Sequence, residues 1–518
     1  MPIAQRGTRG RDEDRTALQP RLGVLATHPI QYQAPLYQEL DRRGVVNLDV
    51  AFLSSAGATP VHDPGFGVTL AWDIDLLGGY NSTVLARRPL ARKPAWLVSA
   101  SRWLRQQDIV VLHGHRDPDT LLAAASCRLL GVPYLLRGDS QAESSAVGIR
   151  QIARHLLAGA VIRNAAGALP IGQRNASFYR RYGRIPHYFA PHSVDNERFM
   201  AGADVARLSR ADRLMSLGLD PGRTTVVFSG KLTAQKRPLD VVRAVERCGA
   251  QFNLLLLGDG PLRAEVRGYE GSLPVRCVGF INQAEMPWWY GSGDILALPS
   301  SREPWGLVVN EGMACGLIPV VSEAVGCGPD LVHGVGEVFP VGNVDELAAA
   351  LVRVSHDVRG RRDRLQDRLE GFSVTQTATG YEQAALALAR RRQLRRRSRA
   401  PSERQGDDGE PEQDHARNPG QERRAIRLGL HDAGKQQDDQ ERAVHAPAQV
   451  GRLIEDPERA PDQEHPEDQR DPTPVPVQVS FRSDIGSGVD LRRKIVVLLT
   501  NLVSRGKDRL SRPKNPRY

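Results

Sequence analysis

Lys231 and Lys236 stand five positions apart in FSGKLTAQKRP, residues 228–238, just after an apolar run that ends at Gly230. Pro238 sits where the first turn of a helix would begin. Two ammonium groups held beside a strand end and a helix start suit a diphosphate. A second pattern is EPWGLVVNEGMACGLIPVVS, residues 303–322, in which Glu303 and Glu311 are eight apart. Glu303 reads as a loop residue after a buried strand, and Glu311 as a residue of the helix that follows. Amides near Gly306, Leu307 and Val308 would open that helix and offer N–H groups to a phosphate. A carboxylate on the helix can accept from vicinal ribose hydroxyls, and one on the loop from the hydroxyls of a sugar ring. Each pattern by itself also describes solvated surface charge; their joint placement after strands favours a site. In LLGDGP, residues 256–261, Gly258 and Gly260 read as a tight strand-to-helix turn with Asp259 as a turn residue.

The elements that must position these residues form two alternating series. In the first, LGVLAT (22–27), VNLDVAFL (46–53), IVVLHG (109–114), PYLLRG (133–138) and AAGALPIG (165–172) read as strands, with helices such as 33–44 and 118–131 between them. In the second, TTVVFSG (224–230), FNLLLLGDG (252–260), PVRCVGF (274–280), DILALPS (294–300) and LIPVVS (317–322) are the strands. Short apolar strands alternating with helices imply an α/β chain with two parallel sheets, each covered on both faces. Ligands bind such sheets beyond the carboxyl ends of the strands, where both charged patterns fall. The expected domains are an N-terminal unit at 21–191 and a C-terminal unit at 192–392, with residues 192–222 bridging them. The final helix, 373–392, has the option of packing back on the first unit. Residues 1–20 read as a disordered leader. Residues 393–518, rich in Arg, Asp, Gln and Pro, read as a low-complexity disordered tail, or as a GC-rich stretch read out of frame.

The 518 residues carry a net charge of +10 and suffice for two or three domains. The charge favours anionic partners. Mean hydropathy is −0.39, so a polar segment dilutes an ordinary globular part. Five scattered cysteines show no C-x-x-C spacing, which argues against a disulfide framework or a zinc site and for a reducing compartment. No secretory leader and no apolar run long enough for a membrane span is visible, so a cytoplasmic or membrane-peripheral protein is expected. In RRPLARKPAWLVSASRWLRQQ, residues 87–107, basic residues accompany Trp96 and Trp103 at helical spacing. That stretch would suit contact with an anionic membrane surface, or simply a helix packed on the first sheet.

Residues 191–335 resemble the donor half of glycosyltransferase family 4, the retaining enzymes of GT-B fold. FSGKLTAQKRP, LLLLGDGPLR, the run from VGFINQ to LIPVV, and PHSVDNERF (191–199) carry the likeness in order and spacing. THPIQYQAPLYQEL (27–40), VLHGHRDPDT (111–120) and LLRGDS (135–140) resemble a subgroup that assembles surface polysaccharide. The resemblance implies GT-B architecture, two Rossmann-like domains facing a cleft. It implies that Lys231 and Lys236 hold the donor diphosphate as leaving group, that Glu303 binds the donor sugar and that Glu311 binds the ribose. Gly230, Gly306, Leu307 and Val308 would approach the phosphates or sugar, and Gly279, Phe280 and Ile281 would lie near the base. No metal and no cofactor beyond the nucleotide-sugar substrate is expected, and the acceptor would be a saccharide or lipid-linked. His28, His113, His115, Arg137 and Asp139 fall at N-domain strand ends, with His28, His115, Arg137 and Asp139 as acceptor-side or cleft candidates. Three departures stand out. THPIQYQ replaces a Gly-Gly loop, Ser193 replaces a glycine in the 191–199 segment, and Lys231 replaces the commoner arginine, which keeps the charge but loses the bidentate fork. A sugar-nucleotide epimerase of the same fold, or a binding protein acting through the basic tail, are the competing readings.

Overall fold

The computed structural model describes residues 19–63, 65, 67–85, 95–115, 117–141 and 149–398. The expected leader up to residue 18, the tail from 399 onward and residues 87–94 of the basic stretch lie outside the described residues. Two parallel six-stranded sheets organise the rest.

The first sheet contains β1 (Arg21–Ala26), β2 (Asn47–Phe52), β5 (Ser82–Val84), β6 (Ile109–His113), β7 (Tyr134–Arg137) and β8 (Gly167–Ala168), in the order β5-β2-β1-β6-β7-β8. A small antiparallel hairpin, β3 (Val61–Asp63) with β4 (Val68–Leu70), projects between β2 and β5. The apolar runs explain the strands: β1, β2, β6 and β7 are almost wholly buried, as strands covered on both faces must be. One face is covered by α1 (Ala34–Arg43), whose Leu36, Tyr37 and Leu40 pack on it. The other is covered by α2 (Ala95–Arg105), α3 (Pro118–Leu130), α4 (Ile149–Arg163) and α5 (Gln173–Arg180).

Trp103 lies on the inner side of α2, 6% exposed, packed with Leu104 and Leu25. A Cβ on Gly23 would come within 2.8 Å of its ring, so the strand is pared down to seat it. This corrects the idea of Trp103 on a membrane-facing side: the indole is committed to the sheet. The side chain of Trp96 is outside the described residues.

The chain crosses into the second unit through α6 (Asn196–Arg207) and α7 (Arg210–Ser216). The second sheet has the order β11-β10-β9-β12-β13-β14, from β9 (Thr224–Ser229), β10 (Phe252–Leu257), β11 (Val275–Gly279), β12 (Ile295–Leu298), β13 (Ile318–Ser322) and β14 (Glu337–Phe339). Between the strands run α8 (Pro238–Arg247), α9 (Arg263–Arg267), α10 (Met286–Tyr290) and α11 (Leu307–Ala314). They are followed by α12 (Val344–Ser355), α13 (Val358–Arg362) and α14 (Leu365–Glu370). Both sheets reverse direction of growth once, between β1 and β6 and between β9 and β12. That reversal opens a crevice beyond the strand ends.

The last helix, α15 (Val374–Arg397), returns to the first sheet. Its Ala378, Tyr381, Ala384, Ala385 and Leu388 share a core with Leu22, Tyr37 and Val111. Thr377 Oγ1 of this helix lies 2.8 Å from Ser193 Oγ and donates to the Pro191 carbonyl at 2.9 Å. The serine that departs from the expected glycine is therefore part of the seam between crossover and helix.

Candidate active site

The loops after β9 and β12 meet because those two strands are neighbours, with Ile295 opposite Val226 and Leu296 opposite Val227. The loop after β9 carries Gly230, Lys231 and Lys236, and the loop after β12 carries Glu303. Backbone and side-chain bonds fasten the loops together. Ser301 N donates to Gln235 O at 2.8 Å, and Gln235 Nε2 donates to Arg302 O at 2.9 Å. At their junction Lys236 Nζ and Glu303 Oε2 form an ion pair, with side chains 23% and 13% exposed.

Arg237, the next residue, has φ 55° and is the non-glycine residue with positive φ among those described. An L-residue there costs about 1–2 kcal/mol. The buried Asp240 carboxylate offsets the strain by accepting from Arg237 Nε at 2.6 Å. The kink ends the loop and starts α8, with Pro238 in its first turn as expected.

Glycines bring the turns close. A Cβ on Gly258 would fall 1.9 Å from Gly230 O, so the β9 and β10 turns touch in a way only glycine allows. Asp259 behaves as a turn residue, its carboxylate accepting from Gly260 N at 2.8 Å and pairing with Arg263. Gly306 has φ 97° and precedes α11, which has no side-chain cap. Leu307 and Val308, both half-buried, form the first turn of that helix.

Glu311, one turn further on, is held by groups that the sequence patterns did not reveal. The Tyr290 hydroxyl lies 3.0 Å from both Glu311 Oε2 and Ser229 Oγ. With one proton, it donates to the carboxylate and accepts from the serine. Gln283 Nε2 donates to Glu311 Oε1 at 3.5 Å. Arg198 fixes that amide by donating to Gln283 O at 2.9 Å and to Gln283 Oε1 at 3.3 Å, which turns the NH₂ toward Glu311. Asp195 caps α6 by accepting from Arg198 N at 3.0 Å. The D-N-E-R of PHSVDNERF thus acts, through Gln283, on a carboxylate more than a hundred residues later. Burial raises the Glu311 pKa to about 6, against lowering by Tyr290, Gln283 and Arg198.

Two sets of side-chain contacts, joined by the backbone of the β9 loop, connect the four charged candidates. Glu311 reaches Ser229 through Tyr290, Ser229 precedes Gly230 and Lys231, and Lys236 meets Glu303. The β11 end adds Gly279 (φ 99°), Phe280 and Ile281 at the same edge. Lys231 Nζ itself donates to both carboxylate oxygens of Asp63, at 2.8 and 2.9 Å, across from the first unit.

The N-domain candidates separate. His28 follows β1, half-buried, its Nδ1 3.0 Å from Thr27 Oγ1; burial lowers its pKa. Asp139 follows β7 and is exposed. Arg137 is corrected: it is 3% exposed and donates to the carbonyls of Ala190 and Pro191 at 2.5 and 3.1 Å. Its guanidinium clamps the crossover, under the Tyr381 ring, rather than facing a substrate. His115 is also turned inward, 2% exposed and 5.1 Å from the Phe178 ring. His113 lies between Gln33 and Tyr381, and burial, helped by Arg137, lowers its pKa to about 3, which keeps the ring neutral. Among the described residues no group of His, Cys, Asp or Glu is placed to hold a metal ion, and no helix is long and apolar enough to cross a membrane.

Comparison with known proteins bears on the family and the fold. Residues 223–357, which contain both lysines and both glutamates, match the family described as Glycosyl transferases group 1. The chain is 30% identical over 333 residues to the 2-deoxystreptamine glucosyltransferase of Streptomyces kanamyceticus, covering 57% of this chain and 81% of that enzyme. It is 28% identical over 203 residues to the sulfoquinovosyl transferase SQD2 of Arabidopsis thaliana, spanning only 38% of that protein's length and 37% of this one. In fold it is similar to Anabaena Alr3699/HepE, solved in complex with UDP, with a TM-score of 0.54 at 16% identity over 71% of this chain and all of that one. The two sheets are the two halves of a GT-B fold.

Proposed function

Because the chain belongs to the group 1 glycosyltransferases, we propose that it transfers a sugar with retention of configuration. The donor is a nucleotide-diphosphate sugar, and the acceptor a saccharide or lipid-linked sugar. The product would belong to cell-surface polysaccharide or other glycoconjugates. The observation that carries this reading is the junction of the β9 and β12 loops, where Lys236 meets Glu303 and Lys231 stands on the same loop. There the leaving diphosphate and the sugar it leaves would share one pair of side chains. Lys231 and Lys236 would stabilise the charge that develops as the glycosidic bond to the diphosphate breaks. The first turn of α11 would add its amides. Lys236 would exchange Glu303 for phosphate, and the released Glu303 carboxylate would accept from sugar hydroxyls. Glu311 would accept from the ribose.

In the retaining course, the acceptor oxygen attacks from the face the diphosphate is leaving. A diphosphate oxygen takes the acceptor proton, so the lysines keep the base in place as well as the leaving group. Two ammonium groups and a helix terminus supply the positive charge, and the reaction is proposed to need no divalent ion.

A uridine nucleotide is the first donor to try, since HepE was solved with UDP and with UDP-glucose. The test is a binding and turnover screen across UDP-, GDP- and ADP-sugars, with wild type, Glu311→Ala and Lys236→Ala, each run with and without a chelator. One nucleotide sugar should bind, both variants should weaken it at least ten-fold, and the chelator should change nothing. Unchanged affinity in both variants overturns the site. An epimer formed without acceptor overturns the transfer reading.

A further inference from the structure

The β3–β4 hairpin belongs to the first unit, yet it and the residues after it lie along the donor site of the second. Asp63 Oδ1 accepts from Lys231 Nζ at 2.8 Å and from Gly65 N at 2.7 Å. Lys231 runs across Gly65, where a Cβ would fall 2.7 Å from its Cδ. The Gly65 carbonyl rests on the β10 turn, 3.1 Å from where a Cβ on Gly260 would be. Beyond the hairpin, Ala71 O accepts from Asn282 Nδ2 at 2.8 Å. The Asp73 carboxylate accepts from Ala284 N at 3.1 and 3.2 Å. The described residues between 63 and 73 thus touch the second unit as a strap does, at Lys231 and again beside the segment assigned to the base.

We infer that Asp63 is a displaceable counter-ion of the donor site: a diphosphate takes Lys231 from it, so Asp63 sets the charge a ligand needs in order to bind and ties strap release to donor arrival. This rests on the reading of Lys231 as a diphosphate ligand. One carboxylate carries a single negative charge, whereas a diphosphate carries two or more and meets Lys236 as well. The diphosphate wins the exchange, and a neutral nucleoside has nothing with which to compete. The pair is part-exposed, with side chains 37% and 28% accessible. Pairs of this kind hold back binding about two- to five-fold. Gly65 itself puts no Cβ against the lysine, where one would fall 2.7 Å from Cδ and 2.8 Å from Nζ. The Ala71 and Asp73 contacts with Asn282 and Ala284 do not depend on that pair.

The experiment is calorimetric titration with inorganic pyrophosphate, UDP and uridine at low ionic strength. The proteins are wild type, Asp63→Asn, Asp63→Lys and Asp73→Asn, with Lys236→Ala alongside. Pyrophosphate and UDP should bind Asp63→Asn about two- to five-fold more tightly, and Asp63→Lys more tightly still. Uridine should bind all the Asp63 variants equally. Asp73→Asn, which loosens the far end, should shift pyrophosphate binding in the same direction by less, and it serves if the Asp63 variants do not fold. Equal or weaker pyrophosphate binding in the folded variants, while Lys236→Ala still weakens it, overturns the counter-ion alone. Pyrophosphate and UDP binding that is absent from wild type, or indifferent to Lys236→Ala, overturns the donor site and the counter-ion with it.

Discussion

Glu311 is ionised only when its surroundings permit, because burial sets its pKa at about 6. Above that value it is a carboxylate that can accept two charge-assisted hydrogen bonds from a ribose. Below it, the carboxyl holds a proton and keeps only neutral acceptor strength, a difference of about 1–2 kcal/mol. Nucleotide affinity should therefore rise as pH is raised through about 6 and then level off, roughly ten-fold in all. Glu311→Gln should bind weakly and show no such rise; titration calorimetry between pH 5 and pH 8 reads both. Arg137 teaches the opposite lesson at the same scale. An arginine at a strand end looks like a substrate contact in sequence, but its donors go to the carbonyls of residues 190 and 191. Sequence position says which end of the sheet a residue occupies, not which way its side chain turns.

The strand-end turns and α11 illustrate what could be read in advance and what could not. Apolar runs of four to six residues announce β9, β10 and β12, and glycine and proline mark the turns beyond them. The two lysines and two glutamates were legible for that reason. The β3–β4 hairpin was not, because three-residue strands around Pro64 and Gly65 give no hydrophobic period. Nor was the support of Glu311, since Arg198 and Gln283 are 85 positions apart and nothing local links them. Trp103 shows a third limit: an amphipathic helix has the same pattern whether its apolar side meets a sheet or a lipid surface. At Gly306 the element's geometry depends on one residue. With φ 97° and Val325 Cγ1 3.1 Å from an added Cβ, Gly306→Ala carries a backbone cost of about 1–2 kcal/mol plus a local clash. We expect α11 to start differently, with a thermal midpoint lowered by a few degrees and nucleotide affinity lowered more than ten-fold. An unaltered midpoint and affinity would show that the helix start tolerates a side chain.

At the scale of the whole molecule, Asp330 of the second unit accepts from Gln173 N at the start of α5 in the first, at 3.1 and 3.2 Å. Burial raises its pKa to about 6 despite that bond. The folded state therefore favours the protonated form. The advantage is fully present below the unfolded pKa near 3.8 and is lost as pH rises through about 6. Asp330→Asn, which mimics the protonated acid, should leave stability unchanged near pH 4 and raise it by about 2 kcal/mol at pH 8. Denaturant unfolding at the two pH values measures this, and a gain of equal size at both would contradict it. The return of α15 has a different consequence, one for biosynthesis. Tyr381 and Leu388 cover the same face of the first sheet as Leu36 and Leu40, which leave the ribosome almost 350 residues earlier. Until translation passes residue 388, that greasy surface stays half-roofed. The emerging chain must shelter it, by a holding chaperone or by slow, late closure, and a message truncated before α15 should yield aggregates rather than a working half.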